Sequence, residues 1–400
     1  MEEQAYTVLR DMTRTRTSEP FGGPVALDVT RAPAEPRVER VDLTKRQLQD
    51  VARAPEVRAV APVMPVALVR PVSDDEADPQ VAGDEAPGGI AWGVTAVGAD
   101  TSTATGAGVV VAVLDTGIDA THPAFTGVTL VQQDFSGSGD GDRQGHGTHV
   151  AGTVFGRDVE GTRIGVATGV TEARIGKVLG DDGSGDSDML FKGIQWAVAQ
   201  GAQVISMSLG FDFPGLVARL AGSGWPVDLA TSRALEAYRG NLRMFDALMQ
   251  MIASQEPFTG GTIVVAASGN ESKRRQNPDH EIGVSLPAAA EHVISTGALD
   301  RSPTGLVVAP FSNTFPQLAA PGVKVLSAKA GGGLVSLNGT SMATPHASGV
   351  TALWWEAVRS LPLPPTATTV TARMLANADL AALDPAVDVA DRGVGLVRAP

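Results

Sequence analysis

From Trp92 onward, short apolar runs rich in β-branched residues alternate with stretches compatible with helix. The runs GVVVAVLDT, EARIGKVL, AQVISMSL, GTIVVAASGN and HVISTGAL are nearly continuous in apolar residues. A strand with one wet face would alternate instead, so these are predicted to be strands covered on both faces. Such strands belong to a mostly parallel central sheet flanked by helices, a three-layer α/β fold. Several end in polar or glycine-rich tips, where open α/β sheets place their chemistry. One stretch departs from this alternation. Leu235, Tyr238, Leu242, Phe245, Met249 and Ile252 recur three and four residues apart, predicting an amphipathic helix from about Asp228 to Ala253 in an insert over 211–260. It is read as a surface helix packed on the domain, not one that binds a partner.

Before Trp92 the pattern is weaker. Residues 1–23 are polar without a clear period and read as a flexible lead. Within 24–72, VALDV alternates as a strand, and Thr44 with Gln47 forms a capping box for a helix carrying Leu48 and Val51. VRAVAPVMPVALV supplies further β-rich sequence. A small α+β unit of this size has little core of its own and should dock on something larger. Residues 73–91 open with SDDEADPQVAGDEAPGG, an acidic linker composition and an easy place for cleavage. The remainder, 92–400, is the main domain.

Composition narrows the picture. The chain of 400 residues has no cysteine, which excludes disulfides and thiolate metal sites. Its net charge of −13 argues against nucleic acid as a partner. No run approaches the roughly 20 apolar residues of a spanning helix, so no membrane partner is expected. The opening MEEQAYTVLRDMTRTRTSEP lacks the basic start and apolar run of a secretory signal, so the cytoplasm is the expected location.

Three segments carry chemistry. In VAVLDTGIDATHP, Asp115 ends an apolar run; in GHGTHVAGT, His146 sits between glycines; in NGTSMATPHASG, Ser341 opens a small-residue helix. Taken singly, such an Asp, His and Ser are commonly a turn residue, a satisfied polar contact and a helix cap. Together they form a coherent set. A serine hydroxyl is a weak nucleophile that needs a general base, and the imidazole needs an acceptor to hold its tautomer and support its charge. The chain order Asp, His, Ser is one of the orders in which such triads occur. Asn270, in VVAASGN, can supply an oxyanion donor beside the Ser341 N–H. A metal hydrolase using His146 and His149 is disfavoured, because no HExxH pattern accompanies them.

DTGID, HGTHVAGT and GTSMATPHASG resemble the three active-site signatures of the subtilisin-like serine proteases, and SGN resembles their oxyanion segment. The resemblance implies a serine endopeptidase working through Asp115, His146 and Ser341 with Asn270, acting on proteins or on a dedicated peptide precursor. It implies that Ser208, Leu209 and Gly210 line the primary specificity pocket, that Ser184 and Gly185 pair with an extended substrate, and that Leu286–Pro287 is cis. Phe211 stands where the family usually has glycine, so the pocket rim should differ. Residues 24–72 resemble a shortened inhibitory propeptide, which implies a zymogen inhibited in cis and matured by cleavage between Val72 and Trp92. The alternative is a persistently inhibited zymogen serving as a regulated interaction module. No cofactor is expected. The family's strong calcium site uses an Asp where Ala124 stands, and Asp158 and Glu160 alone cannot supply the oxygens a hard cation needs. Asp140, Asp142, Asp181, Asp182, Asp186 and Asp188 are read as solvated loop charges, with subsites for basic substrates as the alternative.

Overall fold

The computed structural model describes residues 3–13, 34–73 and 88–400. Its central sheet has eight strands. From one edge they run Gly305–Val308, Val293–Ser302, Ile263–Ala267, Val204–Met207, Val110–Asp115, Glu172–Lys177 and Thr129–Asp134, and Leu318–Pro321 also pairs with Val293–Ser302. All pairings are parallel except that of Gly305–Val308. The near-continuous apolar runs have the cause expected of them. Along Val110–Asp115, Val111 and Val113 enter one core while Ala112 and Leu114 enter the other. The helices His146–Phe155 and Thr340–Arg359 supply the first core, and Ser187–Ala199 and Val227–Ala253 the second. Among the described residues no helix is long and apolar enough to cross a membrane.

The N-terminal unit corrects one expectation. Gln4–Asp11 is no flexible lead but the middle strand of an antiparallel sheet, between Pro36–Leu43 and Val57–Pro62. Its Tyr6, Thr7, Val8 and Leu9 are all buried. The helix Lys45–Ala52 starts at the capping box of Thr44 and Gln47, as its sequence predicts. The run VALDV and residues 74–87 of the acidic linker lie outside the described residues. The small unit does not build a separate core: Leu9, Val38, Ala61 and Met64 join the cluster holding Phe191, Phe245 and Leu248.

The insert begins with a helix at Phe213–Gly222 and continues as the long helix Val227–Ala253. Phe245, Met249 and Ile252 are buried as predicted, but Leu235 is 46% exposed. In the first half of the helix the buried line is instead Ala230, Ala234, Ala237 and Asn241. The helix lies against Val57–Pro62, and the contact is tight: a Cβ on Gly240 would stand 3.3 Å from the Pro62 ring. Asn241 Nδ2 donates to the Pro62 carbonyl at 2.9 Å. The long helix is therefore the seat of the N-terminal unit as well as a cover for the main sheet.

Candidate active site

Asp115 is the last residue of its strand, and His146 is the first of its helix. The turn before His146 needs a left-handed residue, and Gly145 supplies it with φ 93°. Gly147 is required for a different reason. A Cβ there would come within 2.2 Å of the Gly117 carbonyl oxygen and 3.2 Å of Asp115 Cβ, so only glycine lets the helix end approach the Asp115 turn. His146 Nδ1 lies 2.8 Å from Asp115 Oδ1 and 3.1 Å from Oδ2, with both side chains buried. A carboxylate can only accept, so Nδ1 carries the proton and Nε2 is left as the basic nitrogen. Nε2 is buried and has no hydrogen-bond partner among the described residues.

Ser341 is the second residue of the helix Thr340–Arg359. Its backbone carbonyl accepts from Ser208 Oγ at 3.0 Å, while its own Oγ donates to the carbonyl of Val69 at 2.8 Å. Asn270 follows the strand Ile263–Ala267. Its Oδ1 accepts from the Thr340 N–H at 2.9 Å and from Thr340 Oγ1 at 2.8 Å, which turns the amide nitrogen outward. That nitrogen donates to the Arg70 carbonyl at 2.9 Å.

Val69 and Arg70 are reached through a strand of the N-terminal unit. Pro65–Leu68 lies between Ser184–Asp186 and Leu209–Phe211 and is antiparallel to both. Ala67 faces Ser184 on one side and Gly210 on the other, Val66 faces Gly185, and the Leu68 N–H donates to the Gly183 carbonyl at 2.9 Å. Ser184, Gly185 and Gly210 are thus brought to one extended segment. Ser208 and Leu209 differ: the first supports Ser341 from behind, and the second sends its side chain into the core. Phe211 is not a rim residue either. It is buried and meets Phe245 edge-on at 5.9 Å. The Leu286–Pro287 bond is cis.

Sequence reasoning missed the role of Asp142, which it grouped with solvated loop charges. Asp142 is buried and accepts from Thr116 Oγ1 at 2.9 Å, the Gly145 N–H at 2.7 Å, and the Thr148 N–H and Oγ1 at 2.8 and 2.7 Å. It therefore ties the Asp115 turn to the His146 turn. The available signal was its spacing, three residues before Gly145 and six before Thr148, where a carboxylate can satisfy the free N–H groups of a helix start. Of the others, Asp140 is exposed, and the remaining four are held by named partners. Asp181 pairs with Lys177 at 2.6 Å and Arg143 at 3.3 Å, Asp186 with Arg40 at 2.8 Å, and Asp188 with Lys192 at 2.7 Å. Hydrogen bonds from the Ser184 N–H and hydroxyl hold the Asp182 carboxyl below its usual range. His149 is bound to the Val325 and Val335 carbonyls at 3.0 and 3.2 Å, and burial holds its pKa down at about 3. It is a neutral core histidine.

A buried carboxylate–imidazole pair whose Nε2 is left without a partner, and a serine at a helix start with an amide held outward beside it, are the parts of a serine protease site on an α/β scaffold. Residues 106–395 match the model of the subtilase family. The chain is 36% identical to the intracellular serine protease of Paenibacillus polymyxa over 258 residues, which are 62% of this chain and 67% of that protein. It is 35% identical to the M-protease of Shouchella clausii over 270 residues, covering 66% of this chain and 59% of the M-protease. Against Subtilisin BL of Lederbergia lenta the identity is 34% over 270 residues, covering 66% and 83%. The chain belongs to the subtilase family and is a subtilisin-like serine protease.

Proposed function

We propose that this chain is an endopeptidase made as a zymogen inhibited in cis by its own N-terminal segment. One observation carries the reading: the chain lays residues 65–70 through the cleft as a peptide substrate would lie, with the Val69 carbonyl 2.8 Å from Ser341 Oγ. Backbone pairing of this kind binds an extended peptide without regard to most of its side chains. The reaction proposed follows from the same groups. Ser341 Oγ gives its proton to His146 Nε2 and bonds to the scissile carbonyl carbon, and Asp115 steadies the imidazolium. The oxyanion is met by Asn270 Nδ2 and the Ser341 N–H. The proton then passes from His146 to the leaving amine as the C–N bond breaks. Water, deprotonated by His146, releases the acyl group and restores Ser341. No step requires a metal. Where the family's strong calcium site uses an Asp, Ala124 has no side-chain oxygen, and its buried carbonyl accepts from the Arg157 N–H at 2.7 Å.

The bound segment is out of register for this chemistry, which favours inhibition over turnover. Ser341 Oγ addresses the Val69 carbonyl while Asn270 Nδ2 addresses the next one, that of Arg70. Attack and oxyanion stabilisation are therefore directed at two different carbonyls, and the bond after Arg70 leads to Pro71. The same offset supports a slowly released, regulated inhibitor. An intracellular site of action is proposed from the name of the Paenibacillus relative alone. Maturation is placed by this reading between Val72 and Trp92. The test follows hydrolysis of a fluorogenic peptide over time while sampling the N-terminus by sequencing. Activity should rise as new N-termini appear in that interval; full activity on chains that still begin at Met1 overturns the zymogen reading.

A further inference from the structure

Ser341 Oγ addresses the Val69 carbonyl, so the Val69 side chain takes the place of the residue before a scissile bond. That side chain is buried, and its surroundings define a pocket. A Cβ added to Gly210 would stand 3.3 Å from Val69 Cγ2, 3.7 Å from the Leu286 carbonyl oxygen and 3.8 Å from Ser285 Oγ. One wall is therefore the strand Leu209–Phe211, and the facing wall is the segment at Ser285 and Leu286. The Phe211 N–H donates to the Leu286 carbonyl at 3.1 Å and joins the two. The Leu286 side chain is completely buried in the core that holds Phe245 and Leu248. Its N–H goes elsewhere, donating to Tyr238 Oη at 3.0 Å. Tyr238 lies on the long helix Val227–Ala253, and its ring meets Phe213 edge-on at 6.1 Å. Burial raises the Tyr238 pKa, so the phenol stays neutral and accepts through its hydroxyl oxygen. Phe211 leans on Phe245 of the same helix. Both walls of the pocket are thus anchored to the insert.

We propose that Tyr238 is a positioning residue for substrate selection: its hydroxyl fixes the wall at Ser285 and Leu286 and so sets the width of the pocket that Val69 occupies. The inference rests on the endopeptidase reading above. Tyr238 acts through Leu286 and has no part in the chemical steps. Without the hydroxyl, the N–H of a buried residue loses its acceptor, and the wall is free to move away from Gly210. A side chain the size of valine then loses a close wall, while a larger one gains room. One net intramolecular hydrogen bond is involved, so the expected change in relative kcat/KM is about three- to tenfold.

The test uses the full chain, after whatever processing it performs, and two fluorogenic peptides that differ only in carrying Val or Phe before the scissile bond. The ratio of their kcat/KM values is independent of the fraction of active enzyme. Tyr238→Phe keeps the ring beside Phe213 and removes only the hydroxyl; it should shift the ratio toward the Phe peptide by about three- to tenfold. Met249→Ala opens a cavity under the same helix about three turns further along, so it should lower the thermal midpoint and leave the ratio unchanged. A second readout needs no turnover: in the uncleaved Ser341→Ala chain, Tyr238→Phe should speed hydrogen exchange of the Leu286 amide by about three- to tenfold. An unchanged ratio or unchanged exchange refutes the role given to Tyr238 and leaves the endopeptidase reading intact. An equal shift of the ratio in Met249→Ala refutes it too, by tracing the effect to helix stability. Turnover that survives Ser341→Ala refutes the endopeptidase reading instead.

Discussion

Met64 offers a way to separate the inhibitor from the enzyme it covers. It immediately precedes the strand in the cleft, its side chain is completely buried, and it packs in the core shared with Phe191 and Phe245. Its backbone is clasped by Ser187, whose N–H donates to the Met64 carbonyl at 2.9 Å and whose Oγ accepts from the Met64 N–H at 3.1 Å. Met64→Ala removes buried side-chain atoms and leaves a cavity, at a cost of about 2–5 kcal/mol. If a loss of about 3 kcal/mol falls on docking of the N-terminal unit, the open fraction rises by about two orders of magnitude. The assay is the initial rate on a fluorogenic peptide, read while gels show the chain intact. A large rise in that rate, abolished by adding Ser341→Ala, is expected. A variant whose thermal midpoint falls but whose initial rate matches wild type would refute the claim that this segment blocks the cleft.

Asn270→Ala should lower kcat by about 10²–10³ with little change in KM, because the donor acts on charge that develops only in the transition state; steady-state kinetics on processed enzyme would show an unchanged kcat if the assignment is wrong. Asp115→Asn should lower kcat by about 10⁴ by favouring the wrong imidazole tautomer, and a loss below tenfold would contradict the role given to the carboxylate. Burial holds His149 at about 3 and His346 at about 4, both below the ordinary 6.5, so each must stay neutral in the folded chain. Their contribution to stability is complete above about pH 6.5 and is lost as pH falls toward 4 and then 3, at up to about 1.4 kcal/mol per pH unit for each group. Thermal melts of Ser341→Ala between pH 8 and 4 should therefore decline below pH 6.5.

The main sheet was legible because strands buried on both faces have a pattern that little else produces, and the triad because each reactive residue stands at a small-residue turn. What escaped depends on contacts distant in sequence. Gln4–Asp11 looks polar at its ends, and its burial comes from Pro36–Leu43 and Val57–Pro62 on either side. The line of buried alanines on the long helix is silent beside Leu235, and the approach of Val57–Pro62 is made at Gly240 and Asn241, which carry no apolar signal. Phe211 suggests a pocket rim by position, but the insert brings Phe245 to receive it. The register of Val69 and Arg70 against Ser341 and Asn270 has no periodic signature at all; it is set by pairing with Ser184–Asp186 and Leu209–Phe211.

The most direct measurement compares wild type with Ser341→Ala on a fluorogenic peptide after the N-terminal segment has been given time to leave. Hydrolysis by wild type, with loss of all but background turnover in the variant, is the result predicted for an acyl-enzyme formed at Ser341. Equal hydrolysis by the two proteins would contradict it.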